Sequence, residues 1–218
     1  MIGQGGAPAA TASHELARIR RTRRHPRWTQ FDYLHLRYLL DDLKQALATL
    51  DRPVRDVLDL YCGSRPYDDL FPAGARCVGL DVAGNPYNVA DVVTDDFIPF
   101  PDASFDLVTC IEAFHYVEDP RHGVDEIRRV LRPGGTTIVT IPFVWEYNRE
   151  ILEHRYTGPE LAELFAGWDA VEIVENGGQA VAWATLTGVM MERLRWAIPD
   201  ALGLGRVRPG SPSGDAPS

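Results

Sequence analysis

Short apolar runs that alternate with helical segments are the feature of this 218-residue chain that most limits its fold. Runs of β-branched and aliphatic residues that stop at turn-forming residues predict strands. We expect six strands, at residues 54–60, 76–81, 89–93, 105–111, 136–141 and 168–174. Because strands that alternate with helices form βαβ units, the pattern predicts an α/β fold with a mostly parallel, twisted sheet and helices on both faces.

Helices are predicted before and between these strands from apolar spacings of three and four and from the positions of proline and glycine. They lie at residues 14–24, 31–50, 122–131, 158–165 and 180–196. The second has one apolar face, formed by Leu36, Leu39, Leu40, Leu43 and Leu47. A seventh strand at the start of the last helical segment remains an alternative.

The position of the first strand divides the chain into a cap and a larger domain. Residues 13–50 precede it and are predicted to form a helical N-terminal cap on a domain of residues 51–200. Residues 1–12 and 203–218 are rich in glycine, alanine, proline and serine, and this composition predicts disorder.

The formal net charge of −9 is distributed unevenly. Residues 1–27 hold six arginines and one glutamate, whereas the rest of the chain is strongly acidic. Nucleic-acid-binding domains usually carry a basic face on the fold itself, so we expect no nucleic acid partner. The basic arm is expected to dock on its own domain, with a lid over the active site or a contact to a phosphate-bearing acceptor as alternatives.

Apolar runs and cysteine spacing limit the compartment and the metal chemistry. No apolar run approaches the roughly 18 residues of a membrane span, and the first ten residues lack the pattern of a secretory signal. Cys62, Cys77 and Cys110 show no CxxC spacing and do not cluster with the six histidines, so neither a metal site nor a disulfide is predicted. We therefore expect a cytoplasmic protein that uses no membrane.

Acidic residues and a glycine stand where the first strands end, which is where parallel α/β sheets bind ligands. Asp59 and Gly63 lie at the end of the first strand, and Gly63 can take backbone angles closed to other residues. Asp81 ends the second strand, where a carboxylate can accept hydrogen bonds from both hydroxyl groups of a ribose. Asp95 and Asp96 follow the third strand.

Five motifs occur in a fixed order over residues 54–175: Val57-Leu-Asp-Leu, Gly79-Leu-Asp81, Pro99-Phe-Pro-Asp-Ala-Ser-Phe-Asp106, residues 112–120 and residues 126–135. Their order and spacing resemble a class I S-adenosylmethionine (SAM) dependent methyltransferase. The resemblance implies a Rossmann-like fold, SAM as cofactor and S-adenosylhomocysteine as product. A dehydrogenase would need the glycines of G-x-G-x-x-G, which are missing after Gly63.

The resemblance also implies which residues bind the cofactor. They are Asp59, Tyr61 and Gly63 at the methionine end, Asp81 at the ribose, Asp95 or Asp96 at the adenine amine, and the main chain of Cys110 and Ile111. Tyr61 and Arg65 stand where the family usually has its first and third glycines. The run from Gly63 to Tyr67 resembles a bacterial subgroup with Gly-Ser-x-Pro-Tyr in this turn.

The candidate catalytic residues lie beyond the fourth and fifth strands, on the side where the family holds its methyl acceptor. His115 is the main candidate, because an imidazole can take a proton near neutral pH. His154 and Tyr156 are the secondary candidates. The aromatic set of the cap either lines the substrate cleft or fills gaps in its packing: Trp28, Phe31, Tyr33, His35 and Tyr38.

We therefore expect a SAM-dependent methyltransferase that acts on a small molecule, with O-methylation in a bacterial biosynthetic pathway as the leading reaction. The alternative is a methyltransferase-like protein that binds SAM or a partner without methylating, because Tyr61 occupies a glycine position. The sequence leaves open whether the protein is a monomer or a homodimer.

Overall fold

The structure is a computed structural model that describes residues 9–95, 98–143 and 152–201. Within this part of the chain, the strands are β1 (Asp56–Leu60), β2 (Arg76–Asp81), β3 (Val92–Val93), β4 (Phe105–Ile111) and β5 (Leu131–Thr140). The helices are α1 (Ala9–Arg24), α2 (Tyr33–Ala48), α3 (Pro120–Val130), α4 (Gly158–Leu164) and α5 (Gly178–Ala201). Two short 3₁₀ helices cover Asp68–Leu70 and Phe114–Tyr116.

All strand pairs of the sheet are parallel, and the strand order is β3-β2-β1-β4-β5. Asp59 of β1 lies between Gly79 of β2 and Thr109 of β4 in the register. The carboxyl ends of β1, β2 and β4 therefore meet at one edge of the sheet, which confirms the α/β prediction and brings the predicted site residues together.

The leucine face of α2 packs on the sheet. Its members Leu36, Leu39, Leu40 and Leu43 are buried in one cluster with Tyr67, against Ile111 of β4 and Ile138 of β5. Burying four leucines contributes roughly 1.5–3 kcal/mol each relative to exposure. The N-terminal cap is thus fixed on the same two strands that lead to the predicted catalytic residues.

The junction between α3 and β5 differs from the prediction, which ended the helix at residue 131 and began the strand at residue 136. The α3 helix is capped by the Asp119 side chain, which accepts from the N–H groups of Arg121 and His122. The strand begins at once, and its pairing with β4 shifts register between Phe105 and Leu107. Gly134 takes a φ of +77° in this irregularity, so the Pro-Gly-Gly run forms a bulge within the strand.

Three further segments differ from the predictions. The sixth strand predicted at residues 168–174 is absent: this stretch pairs with no strand among the described residues, and Val171, Ile173 and Val174 are exposed. The alternative strand before the last helix is wrong as well, because α5 starts at Gly178. The α1 helix starts at Ala9, so residues 9–12 of the segment predicted to be disordered are helical.

Gly188 allows α5 to approach the segment before α2, and this contact gives a prediction. A Cβ at position 188 would overlap the carbonyl oxygen of Phe31. We expect Gly188→Ala to lower the free energy of unfolding by about 1–3 kcal/mol through overpacking, although alanine is favoured over glycine in a helix by about 1 kcal/mol. Urea denaturation measures the change, and Thr187→Ala on the exposed side is the control. A stabilised Gly188→Ala protein would contradict this close approach.

Candidate active site

The turn after β1 is built from left-handed backbone at three positions. Tyr61, Gly63 and Arg65 have φ values of +55°, +56° and +52°. Glycine adopts this conformation freely, whereas other residues need surrounding contacts to hold them there. No heavy atom other than its chain neighbours lies within 4 Å of a Cβ built on Gly63, so the middle of the turn faces open space.

Packing holds Tyr61 in this conformation. Its ring lies against the main core cluster, which is formed by buried residues of the sheet and of α3. Burial raises the pKa of the Tyr61 hydroxyl, and the neighbouring Cys110 and Asp81 add to the shift. The tyrosine that replaces a family glycine is therefore a packing residue of the turn.

Ion pairs hold Arg65. Its Nε lies 2.8 Å from Asp68 Oδ2, and its Nη1 lies 2.7 Å from Asp91 Oδ2. Asp91 also accepts from the N–H of Gly79 at 2.8 Å, so Arg65 ties the turn after β1 to the connection between β2 and β3. The arginine at the third glycine position thus acts as a clamp, a role that the sequence did not reveal.

Asp81 lies at the centre of this edge of the sheet. Its carboxylate accepts from the N–H groups of Gly63 and Val82, each at 2.8 Å, and from the side-chain amide of Asn85. Asn85 was not among the predicted residues, although its position four residues beyond the strand end is a turn signal. Asp95 accepts from the N–H of Ala83 and orders the loop after β2, whereas Asp96 lies outside the described residues.

Asp59 is a buried carboxyl group inside the sheet. It accepts a hydrogen bond from Thr109 Oγ1 at 2.9 Å, and only 3% of its surface is exposed. Burial raises its pKa to about 7, since desolvation outweighs the hydrogen bond from Thr109. Near neutral pH this group is therefore poised between its protonated and ionised forms.

Cys110 and Ile111 continue β4 past its pairing with β1. That pairing ends at Thr109, while the pairing with β5 continues to Ile111. The main chain of Cys110 and Ile111 thus extends to the edge where Asp81 lies. Burial raises the pKa of the Cys110 thiol well above its usual range, so this group stays protonated.

The structure brings the three predicted catalytic residues together. The N–H of His154 donates to the carbonyl oxygen of His115 at 2.8 Å, and the rings of His154 and Tyr156 stack with centroids 5.7 Å apart. His115 is only 3% exposed, and burial lowers its pKa, against an opposite effect of Glu112. Each of these three residues has a buried polar atom with no hydrogen-bond partner within the described residues: His115 Nδ1, His154 Nε2 and Tyr156 Oη.

A pair that sequence reasoning missed lies beside them. Glu112, the first residue after β4, accepts from His35 Nε2 at 2.9 Å and from Thr140 Oγ1 at 3.2 Å. Each member has one signal in the sequence, since Glu112 begins one of the five motifs and His35 belongs to the aromatic set of the cap. Their contact joins α2 to the end of β4 across 77 positions of the chain.

The basic arm docks on its own domain, as predicted. Arg20 donates to the carbonyl oxygen of Ser64 at 2.6 Å, and Arg24 pairs with Asp69. Arg23 faces Tyr67 and Glu112; burial lowers its pKa, but these neighbours outweigh burial and the net shift is upward. The arm therefore covers the turn after β1 and reaches the Glu112 side of the site.

This set of groups fits the cofactor that the sequence implies. The open side of Gly63 leaves room for a ligand against the main chain, and Asp81 presents a carboxylate to ribose hydroxyls. Asp59 places a carboxyl group near the turn, where a positively charged amino acid end would favour its ionised form. Within residues 9–95, 98–143 and 152–201, no cluster of three or more metal-ligating side chains occurs, and no helix has the length and apolar character of a membrane span.

Comparisons with known proteins identify the family. The family model described as a methyltransferase domain matches residues 58–139. A demethylmenaquinone methyltransferase of Corynebacterium glutamicum is 32% identical over 176 residues, which cover 66% of this chain and 76% of that protein. An uncharacterised methyltransferase of Bacillus subtilis is 32% identical over 111 residues, 44% of each chain.

Among solved structures, a SAM-dependent methyltransferase from Aquifex aeolicus has a TM-score of 0.49 at 16% identity, covering 75% of this chain and 92% of that one. The sequence match to the corynebacterial enzyme spans three quarters of that protein, and the residues matched by the family model include Asp59 and Asp81. The chain accordingly belongs to the class I SAM-dependent methyltransferases, and it is an enzyme that uses SAM as its methyl donor.

Proposed function

We propose that this enzyme methylates a ring carbon of a hydroquinone related to demethylmenaquinol. Relatives named for demethylmenaquinone are about a third identical to this chain. A Geobacter sulfurreducens protein named as a ubiquinone/menaquinone biosynthesis C-methyltransferase is 38% identical over 73 residues, 32% of this chain and 28% of that one. These names support a quinone-type acceptor and carbon as the methylated atom.

The observation that carries the proposal is the group of unpartnered polar atoms beyond β4 and β5. His115 Nδ1, His154 Nε2 and Tyr156 Oη are buried, and a buried polar group without a partner costs roughly 1–3 kcal/mol. A hydroquinone carries two hydroxyl groups on a flat apolar ring, and each group can donate and accept a hydrogen bond. It therefore supplies hydrogen-bond partners for these atoms and apolar surface for the neighbouring aromatic rings. We therefore assign these three residues to holding the acceptor.

The lowered pKa of His115 suits this role. Burial keeps its imidazole neutral near pH 7, so its ring can donate one hydrogen bond and accept another. Burial also raises the pKa of the Tyr156 hydroxyl, which stays protonated and can donate to an acceptor oxygen. When bound, SAM supplies an activated methyl group, and these side chains orient the ring and exclude water.

The test is an assay with a short-chain 2-prenyl-1,4-naphthohydroquinone, kept reduced, as the acceptor. We expect a product with one added methyl group, and proton NMR should show loss of the remaining ring hydrogen on the quinol carbon. The oxidised quinone is the control and should not react, because its ring is electron-poor. Absence of turnover by a protein that binds SAM would contradict the hydroquinone assignment.

O-methylation is the second candidate, supported by one observation. A 27-O-demethylrifamycin SV methyltransferase of Amycolatopsis mediterranei is 50% identical over 38 residues, 17% of this chain and 14% of that one. The same assay separates the two reactions, since a methyl ether retains the ring hydrogen and a C-methylated product loses it.

A further inference from the structure

Glu112 has a backbone conformation that points to function. Its φ of +57° is left-handed, which is uncommon for a residue with a long side chain and is stabilised here by contacts on both sides. Its N–H donates to the main-chain oxygen and to Oγ1 of Thr140, at 3.1 and 2.9 Å. The carboxylate is thereby held at the end of β4, next to the turn where SAM is expected.

His35 reaches this carboxylate from the cap. Its Nε2 lies 2.9 Å from Glu112 Oε2, and its side chain is 20% exposed. The leucines that follow it in α2 are buried on the sheet, so packing fixes the helix from which His35 projects. A carboxylate bonded to one imidazole nitrogen orients the ring and stabilises it when it gains a proton, which is the logic of acid–base pairs in enzymes.

Other ionisable groups face the carboxylate from each neighbouring element. Arg23 of α1 approaches it with a positive charge, and Tyr67 approaches it from the turn after β1. His115 and Tyr116 approach it from the 3₁₀ helix. The carboxylate therefore lies among groups from the cofactor turn, the acceptor side and the arm.

We propose that Glu112 and His35 together form the base that removes the proton from the acceptor hydroxyl. The inference rests on the proposed function only in requiring an acceptor with a hydroxyl group.

The O–H bond of the acceptor breaks, the proton passes to the pair, and the electrons left on oxygen are delocalised onto the neighbouring ring carbon. SAM, when bound, would supply the methyl group to that carbon, and the electron pair of its C–S bond would stay on sulfur. The ring carbon then releases its own proton to water, and the pair returns the stored proton to the oxygen.

The pair is a better base than His115 for a geometric reason. Glu112 directly follows β4, whose neighbour β1 ends in the cofactor turn, whereas His115 lies three residues further on and is almost fully buried. His115 is thus placed to hold the acceptor, and the pair is placed to take its proton.

The variants His35→Gln and Glu112→Gln test the proposal. A glutamine at position 35 can keep a hydrogen bond to Glu112 but cannot accept a proton, and a glutamine at position 112 keeps the shape and loses the charge. We expect each to lower kcat by about 100-fold, the usual contribution of a general base. Isothermal titration should show that SAM affinity stays within about threefold of wild type.

The pH profile separates a base from a structural role. If the pair is the base, the defect shrinks between about pH 7 and about pH 10, because the acceptor hydroxyl then ionises on its own. A defect that is equal at all pH values, or that comes with loss of SAM binding, would overturn the proposal. Lys44→Ala, on an exposed side chain of the same helix, is the control and should leave the profile unchanged.

A second measurement does not depend on methylation of any acceptor. 1-Naphthol is bound to the S-adenosylhomocysteine complex, and its absorption spectrum reports whether it is neutral or anionic. The wild type should hold more naphtholate than either variant at the same pH, even if the naphthohydroquinone is not a substrate. Equal spectra in the three proteins, or no naphthol binding, would overturn the base assignment; a failed methylation assay with a positive naphthol result would overturn only the hydroquinone.

Discussion

Asp81→Ala will weaken SAM binding about 100-fold, because it removes an anionic acceptor that hydroxyl groups of the ribose would share. Hydrogen bonds to a charged group contribute about 1.5–3 kcal/mol each, and 1.4 kcal/mol corresponds to a tenfold change in affinity. The carboxylate is 5% exposed and already oriented by the N–H groups of Gly63 and Val82, so little ordering is needed on binding. Isothermal titration with SAM and with S-adenosylhomocysteine measures the loss.

Two further variants isolate this effect. Asp81→Asn keeps the size of the side chain but loses its charge, so its affinity should lie between those of the wild type and Asp81→Ala. Asp102→Ala removes an exposed carboxylate that pairs with Arg129, and it should leave SAM affinity unchanged. SAM affinity in Asp81→Ala within about threefold of wild type would contradict the ribose assignment.

Local sequence patterns predicted those elements of the fold that depend on residues close together in the chain. The run that ends in Asp81 shows no competing helical pattern. It forms the predicted strand with the predicted bounds. Parallel pairing then places Asp59, Gly63 and Asp81 at one edge without further information, since this edge follows from the βαβ order. The residues expected at the cofactor were therefore accessible from sequence.

The residues missed by the sequence depend on contacts between distant segments. His35 meets Glu112 only because α2 packs on β4 and β5, and no spacing within either segment encodes that packing. Arg65 departs from the usual glycine turn, and its role depends on its pairing with Asp91, which lies in another connection of the sheet. The sixth strand is the opposite case, since it was predicted from its apolar run but is absent. An apolar run forms a strand only when a partner strand lies beside it.

The two residues in place of glycine show how one turn can be stabilised differently. Glycine lowers the cost of left-handed backbone, whereas Tyr61 and Arg65 offset that cost through packing and ion pairs. The arm adds a third support, since Arg20 binds the carbonyl oxygen of Ser64 in the same turn. The turn after β1 is thus coupled to the N-terminal cap, which also supplies His35.

The buried carboxyl group of Asp59 leads to the second large prediction, a change in the pH dependence of stability. Its pKa is raised from 3.8 to about 7 in the folded protein, mainly by burial. Between these values the folded state binds more protons than the unfolded state, so the free energy of unfolding decreases as pH rises and the stability remains lower above pH 7. A neutral side chain of the same shape avoids this loss.

Asp59→Asn should therefore be more stable than the wild type at pH 8 by about 2–4 kcal/mol, since each pKa unit corresponds to about 1.36 kcal/mol. The difference should shrink as pH falls and be small near pH 4, where Asp59 is protonated in the folded state and nearly half protonated in the unfolded state. Urea denaturation from pH 4 to pH 8 measures the difference, and the exposed Asp125→Asn is the matched control that should not alter the slope. The same substitution should have the opposite effect on SAM binding. If Asp59 balances the positive charge of SAM, Asp59→Asn binds SAM more weakly than the wild type, and the difference is largest above pH 7. A variant that is both less stable at pH 8 and unchanged in SAM affinity would show that the buried carboxylate is neither strained in the free enzyme nor used by the cofactor.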